Sequence, residues 1–170
     1  MYSGTNMCHV LNQGNGYIVS KSLKKSAKKE REWVLDQSGY TVVSPDFKYK
    51  SRIVTRTVTD ECGKTRKLQE KVVVYWSQAF YAREKHENQS FLDFILRKFL
   101  KKDVVHKETG EILEASKLLT MIDDEKLTEF NELMGYYQIV TSELEMDDQE
   151  VIDKYHGLTR IEDQFREMKG

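Results

Sequence analysis

KYKSRIVTRTVTDECGKTRKLQEKVVVYWS, residues 48–77, is the stretch that decides the fold. Val, Ile, Thr and Tyr are dense in two runs, 48–59 and 65–77, and between them stands DECGK, a polar break that contains Gly63. β-branched and aromatic residues pack well on a pleated surface, and a short polar break with a glycine lets the chain reverse. The two runs therefore predict a β-hairpin. Its outward positions read as basic: Lys48, Lys50, Arg52, Arg56, Arg66, Lys67 and Lys71.

Working outward, GYIVS at 16–20 is a short β-prone run after the turn signal QGNG, and KSLKKSAKKEREWVL at 21–35 reads as a short basic helix. Downstream, Phe80, Tyr81, Phe91, Leu92, Phe94, Ile95, Phe99 and Leu100 recur at helical spacing, which predicts a helix over 78–102. KETGE at 107–111 is a turn, and 115–134 reads as helical pieces with Asp123 or Asp124 as a cap. GYYQIVTSE at 135–143 predicts a buried or half-buried strand. In the final segment, 146–170, Asp147 or Asp148 can cap a helix whose first turn is acidic and whose end is basic, as the helix dipole favours. Gly157 weakens its middle by about 1 kcal/mol relative to Ala, so a kink or two abutting helices stay open. Strands and helices together make the fold class α+β.

At 170 residues, with 39% hydrophobic and 32% charged residues and a mean hydropathy of -0.65, the chain has the composition of a rather polar globular segment. No apolar run approaches the roughly 20 residues of a membrane span, and there is no signal-peptide pattern, so a cytoplasmic protein without a membrane partner is expected. Cys8 and Cys62 form no CxxC and read as reduced structural thiols. The net charge of -1 hides a division. Residues 1–107 carry 21 Lys/Arg against 11 Asp/Glu, or +10, and residues 108–170 carry 6 against 17, or -11. A polyanion-facing first part fits that asymmetry, as does a pair of solvated faces that neutralise each other on folding.

In YHGLTRIEDQFREMK, residues 155–169, steps of seven return to nearly the same direction on a helix, so Tyr155, Glu162 and Lys169 lie along one line. Val151, Leu158 and Phe165 lie close beside it. Two roles are open to Glu162: an edge carboxylate paired with Arg166 four residues on, or a ligand in a site for two divalent metal ions acting on a phosphodiester. The second needs more than one carboxylate.

This helix, preceded by GYYQIVTSE, resembles the end of the catalytic domain of bacterial insertion-sequence DDE transposases, in the group with the signature Tyr-x2-Arg-x3-Glu-x6-Lys. Tyr155, Glu162 and Lys169 match in type and spacing, Leu158 stands at the Arg position, and Arg160 follows two residues later. The basic hairpin, VVVYWSQAFYAREKHE and the acidic stretch before GYY are similar to the β-rich insertion these enzymes carry between their second Asp and their Glu. MYSGTNMCHVLNQGNGYIVSKSLK is similar to the segment just after that second Asp.

The resemblance implies part of an RNase H-like catalytic domain: 1–30 as a remnant of the core, 31–133 as the insertion region, and 134–170 as the end of the core. It implies Glu162 as catalytic residue and metal ligand, with Tyr155, Arg166, Lys169, Lys48, Lys50 and Arg52 on DNA, the transposon ends. Mg2+ or Mn2+ would serve the intact parent enzyme. The chain alone would bind none stably and would not cut DNA, because the first two catalytic Asp residues would lie upstream. Full-length transposase or a second copy would be its protein partners. Two other functions compete: a non-catalytic DNA-binding or regulatory module, supported by the basic excess of 1–107, and an α+β interaction domain docking through Tyr75, Trp76, Phe80 and Tyr81.

Overall fold

The computed structural model describes residues 3–99, 104–105, 112–113, 128 and 131–168, with the backbone alone at 91–99, 104–105, 112–113 and 162–168. Contacts divide the chain into two compact units, Met1–Ser77 with Tyr136–Gly170, and Gln78–Gly135.

The first unit is built on the hairpin. Strands β3 (Phe47–Thr59) and β4 (Thr65–Ser77) pair antiparallel over thirteen positions, from Phe47↔Ser77 to Thr59↔Thr65. The reversal between them places Gly63 at φ 76°, a left-handed conformation that glycine adopts without a Cβ penalty. Three further strands, β1 (Ile18–Ser20), β2 (Thr41–Ser44) and β7 (Tyr136–Thr141), complete an antiparallel sheet in the order β1-β7-β4-β3-β2. Strands from the 1–30, 31–133 and 134–170 segments thus share one sheet, and the architecture is α+β.

Because side chains alternate along a strand, the sheet has two distinct faces. On one, helix α4 (Asp148–Met168) covers Val73, Tyr75 and Ile139 with its own Val151 and Ile152, and Ile18, Phe47, Tyr49, Tyr137 and Tyr155 pack around them. Asp147 caps α4: its carboxylate accepts from the backbone N–H groups of Gln149 and Glu150 at 2.9 and 3.4 Å. The helix runs through Gly157 without a break.

The opposite face holds α1 (Gly4–Asn12), a 3-10 turn at Leu23–Lys25 and α2 (Lys28–Leu35), with Val34, Val72, Val74 and Val140 buried. The basic helix expected at 21–35 is therefore split in two. Helix α1 was not foreseen; Ser3 caps it, and it lies so close to the hairpin that a Cβ on Gly4 would stand 2.8 Å from Val58.

Since β7 pairs with β4 only from Lys71 to Trp76, the far end of the hairpin extends past it as a two-stranded arm. At roughly 3.4 Å per residue, the thirteen-residue strands are about 44 Å long.

In the second unit, α3 (Gln78–Phe99) begins directly after β4, and a two-strand ladder joins β5 (Val104–Val105) to β6 (Ile112–Leu113). Glu84 of α3 accepts from the backbone N–H of Gly135 at 2.9 Å, and Leu133 is buried. The caps expected at Asp123 or Asp124 lie outside the described residues. No helix among the described residues is long and apolar enough to cross a membrane.

Candidate nucleic-acid interface

Lys48, Lys50 and Arg52 alternate along β3 and so share one sheet face, the face that α2 covers. Lys50 is 5% exposed. Its ammonium donates to the backbone carbonyls of Trp33 at 2.5 Å, Asp36 at 2.6 Å and Ser38 at 3.3 Å, and it lies over the rings of Trp33 and Tyr40. The last carbonyls of a helix have no partner within it, and an ammonium has three donors to offer them. Lys50 thus closes the C-terminal end of α2 from below. Burial pushes its pKa down; the Asp36 charge opposes this, and Arg52 and Lys48 add to it.

The neighbouring cations are engaged as well. Lys48 donates to the side chain of Gln37 and stands among the rings of Tyr40, Tyr136 and Trp76, 5.0 to 5.8 Å from their centroids. The Arg52 guanidinium stacks on Trp33 at 3.9 Å. Burial raises the Tyr40 phenol, whose O–H donates to the Val34 carbonyl at 2.7 Å. The structure therefore gathers the three predicted hairpin cations into one cation–aromatic cluster, in which Lys50 points inward.

Further along the arm, Glu70 is 1% exposed and accepts a bidentate pair of hydrogen bonds from Arg56, at 2.6 and 2.9 Å, and one from the Tyr17 hydroxyl at 2.6 Å. At the tip, the Asp60 carboxylate accepts from the backbone N–H groups of Cys62 and Lys64 and pairs with Arg66 at 2.8 Å. Lys71 pairs with Asp148 at 2.6 Å and donates to the Met146 carbonyl. Neither Glu70 nor Tyr17 was singled out in the sequence; a lone carboxylate between two basic residues of a strand was the available signal.

What the arm leaves in solvent is its other face. Ile53, 55% exposed, stands there with Thr55, Thr57, Thr59, Thr65, Lys67 and Gln69, all exposed. The arm thus offers a narrow ribbon of hydroxyls, an amide, an ammonium and one apolar side chain.

Tyr155 lies across the sheet from the hairpin cations. Its hydroxyl shares a 2.8 Å hydrogen bond with that of Tyr137, and its ring packs against Tyr137 and His156. Burial lowers the His156 pKa, the Arg160 charge adds to this, and Asp153 opposes it. The apolar stripe of α4 changes character along its length: Val151 and Ile152 are buried, whereas Leu158 and Ile161 are 50% and 51% exposed. Glu162 and Arg166 belong to the α4 backbone, seven and eleven residues beyond Tyr155, and their side chains lie outside what is described; Lys169 lies outside the described residues altogether.

Among the described residues no group of three or more His, Cys, Asp or Glu stands together to hold a metal ion, and Glu162 is not part of that set. The described side chains do not assemble the carboxylates that two Mg2+ ions need. No known protein family, characterised protein or solved structure matches the chain.

Proposed function

We propose that the chain is a DNA-handling part of an insertion-sequence transposase of the DDE type, and that by itself it holds DNA without cutting it. The observation that carries this reading is the unbroken α4, which follows β7 after a short loop and keeps Tyr155 and position 162 two helical turns apart, as the signature Tyr-x2-Arg-x3-Glu-x6-Lys requires. On this reading β7 and α4 are RNase H-like elements, Glu162 is the third carboxylate of the parent enzyme's Mg2+ or Mn2+ site, and Arg166 and Lys169 reach the transposon end. Leu158 and Ile161, exposed on the same helix, offer an apolar surface to full-length transposase or to a second copy.

The solvent face of the arm, opposite α1, carries side chains suited to DNA. The major groove admits a two-stranded β-ribbon, and Lys67, Gln69, the threonines and Ile53 are side chains that can meet base edges or a thymine methyl. The test is direct: the purified chain is incubated with duplex DNA at low salt, with and without Mg2+ or Mn2+. Binding without strand cleavage is expected. Metal-dependent cleavage abolished by Glu162→Gln would overturn the claim that the chain does not cut by itself.

A second reading, a non-catalytic DNA-binding or regulatory module, draws on a different observation. All strand pairs of the five-stranded sheet are antiparallel, whereas an RNase H-like core has a mixed sheet. Under this reading Glu162→Gln changes nothing, either alone or in a mixture with an intact transposase. The interaction-domain reading loses one anchor, because Tyr75 is buried at 4% exposure.

A further inference from the structure

Among the described residues of the first unit, a cluster of exposed positive charge outside the hairpin stands in KKSAKK, residues 24–29. Lys24 and Lys25 belong to the 3-10 turn and Lys28 and Lys29 to the first turn of α2, and all four are exposed. Residues between and beside them point the other way: Leu23 and Ser26 are each 6% exposed.

Two other cations of the segment fix its shape. Lys21 pairs with Glu30 at 2.7 Å, Glu30 accepts from Gln138 at 2.6 Å, and Arg31 donates to the Ser26 carbonyl at 2.8 Å. Ser26 in turn donates to the Ser22 carbonyl at 3.1 Å, and the Lys21 backbone N–H donates to the Gln138 carbonyl on β7 at 3.0 Å. The turn is thus pinned to the inner strand β7 of the sheet, and the same tether neutralises Glu30. Among the charged residues near the four lysines, Glu32 is the exposed acid, on the following turn of α2.

We propose that the lysines of KKSAKK form a docking surface for the phosphate backbone of duplex DNA, gripping it without reading sequence. This surface rests on the DNA-handling function proposed above. Six residues span at most about 22 Å, so four ammonium groups lie within reach of two to four phosphates, which follow one another at a few ångströms of helix axis along each strand. Holding four long side chains on a short tethered turn fixes where their charge is presented, and such contacts position a protein on the duplex while others specify the base. A lipid surface is disfavoured, because Leu23 and Val34 are buried and the exposed apolar group among the lysines is the single methyl of Ala27, too small to anchor the turn in a bilayer.

The test measures binding of a random-sequence duplex by the whole chain across a salt series. Three phosphate contacts give a slope of about -2.7 in log K against log salt, or a loss of roughly 40-fold between 50 and 200 mM. Replacing Lys24, Lys25, Lys28 and Lys29 together with Ala is expected to reduce the slope by about 2 to 3 and to weaken binding at least tenfold at low salt, with an unchanged circular dichroism spectrum. Arginine at all four positions is expected to restore both slope and affinity. If the native chain binds DNA and the alanine variant keeps its slope, this surface is wrong and the DNA-handling function stands. Absence of any binding by the native chain at low salt overturns both, and binding to phosphatidylserine vesicles in preference to DNA overturns the choice of partner.

Discussion

At the scale of single residues, the first unit depends on charges placed where a strand would ordinarily bury apolar groups. Glu70 is the clearest case, since it is buried while its partner Arg56 is still 30% exposed. Removing one member of a buried pair strands the other, at a cost of about 3–5 kcal/mol, and solvent at Arg56 recovers part of that. Glu70→Gln is therefore expected to lower unfolding stability by about 2–3 kcal/mol in urea titration, and Tyr17→Phe, which removes one hydrogen bond to the carboxylate, by about 1–2 kcal/mol. Asp60 gives a pH dependence. The backbone N–H of Lys64 holds its carboxyl below the usual 3.8 against the opposing effect of burial, helped by the Cys62 N–H and Arg66. A depressed carboxyl stabilises the fold above its unfolded pKa and loses that contribution as pH falls through the folded one. The native chain is thus expected to be more stable than Asp60→Asn at neutral pH, and the gap is expected to close in acid titration below 3.8. These inward charges were not legible, because alternation tells which residues share a face and leaves open what covers it. Lys50 reads as outward until α2 lies over it.

At the scale of elements, the hairpin was legible nearly to the residue. Its β-branched runs are long, and the polar break holds Gly63 in the conformation that suits glycine. The β7 strand and α4 followed from local pattern in the same way, and of the two caps the pattern left open, Asp147 or Asp148, it is Asp147 that accepts the N–H groups. Helix α1 has no such pattern: it is nine residues long, and docking on the arm supplies what its sequence lacks, through the Gly4–Val58 approach and the hydrogen bond from Thr5 to the Thr59 carbonyl. Gly4→Ala puts a methyl group against the Val58 side chain, and a cost of about 1–3 kcal/mol is expected. Hydrogen exchange should show the loss concentrated in α1 and the distal strands, with β7 and the α4-covered residues Val73 and Tyr75 still protected. Uniform loss of protection across the sheet would contradict the view of the arm and α1 as one local module.

At the scale of the whole molecule, the candidate site was legible only as a set of residue types and spacings. The sequence suggested one role for Lys48, Lys50, Arg52 and Tyr155, whereas the sheet separates them, with three cations on the α2 face and Tyr155, on α4, packed against Tyr137 on the other. That separation could not be read from the chain because it depends on β7, which pairs with β4 only after the 78–135 segment has been traversed. The +10 charge of residues 1–107 was legible from the start. The structure divides it between cations engaged within the fold, such as Lys21, Lys50 and Arg56, and cations presented to solvent, such as Lys25, Lys28 and Lys29. The central claim is that this presented charge holds DNA while the chain alone performs no strand cleavage. The most direct measurement is one titration of the purified chain into labelled duplex DNA with Mg2+ present, read for both binding and strand integrity. Salt-sensitive binding to intact DNA is predicted; no binding at low salt, or cleavage that Glu162→Gln abolishes, would contradict it.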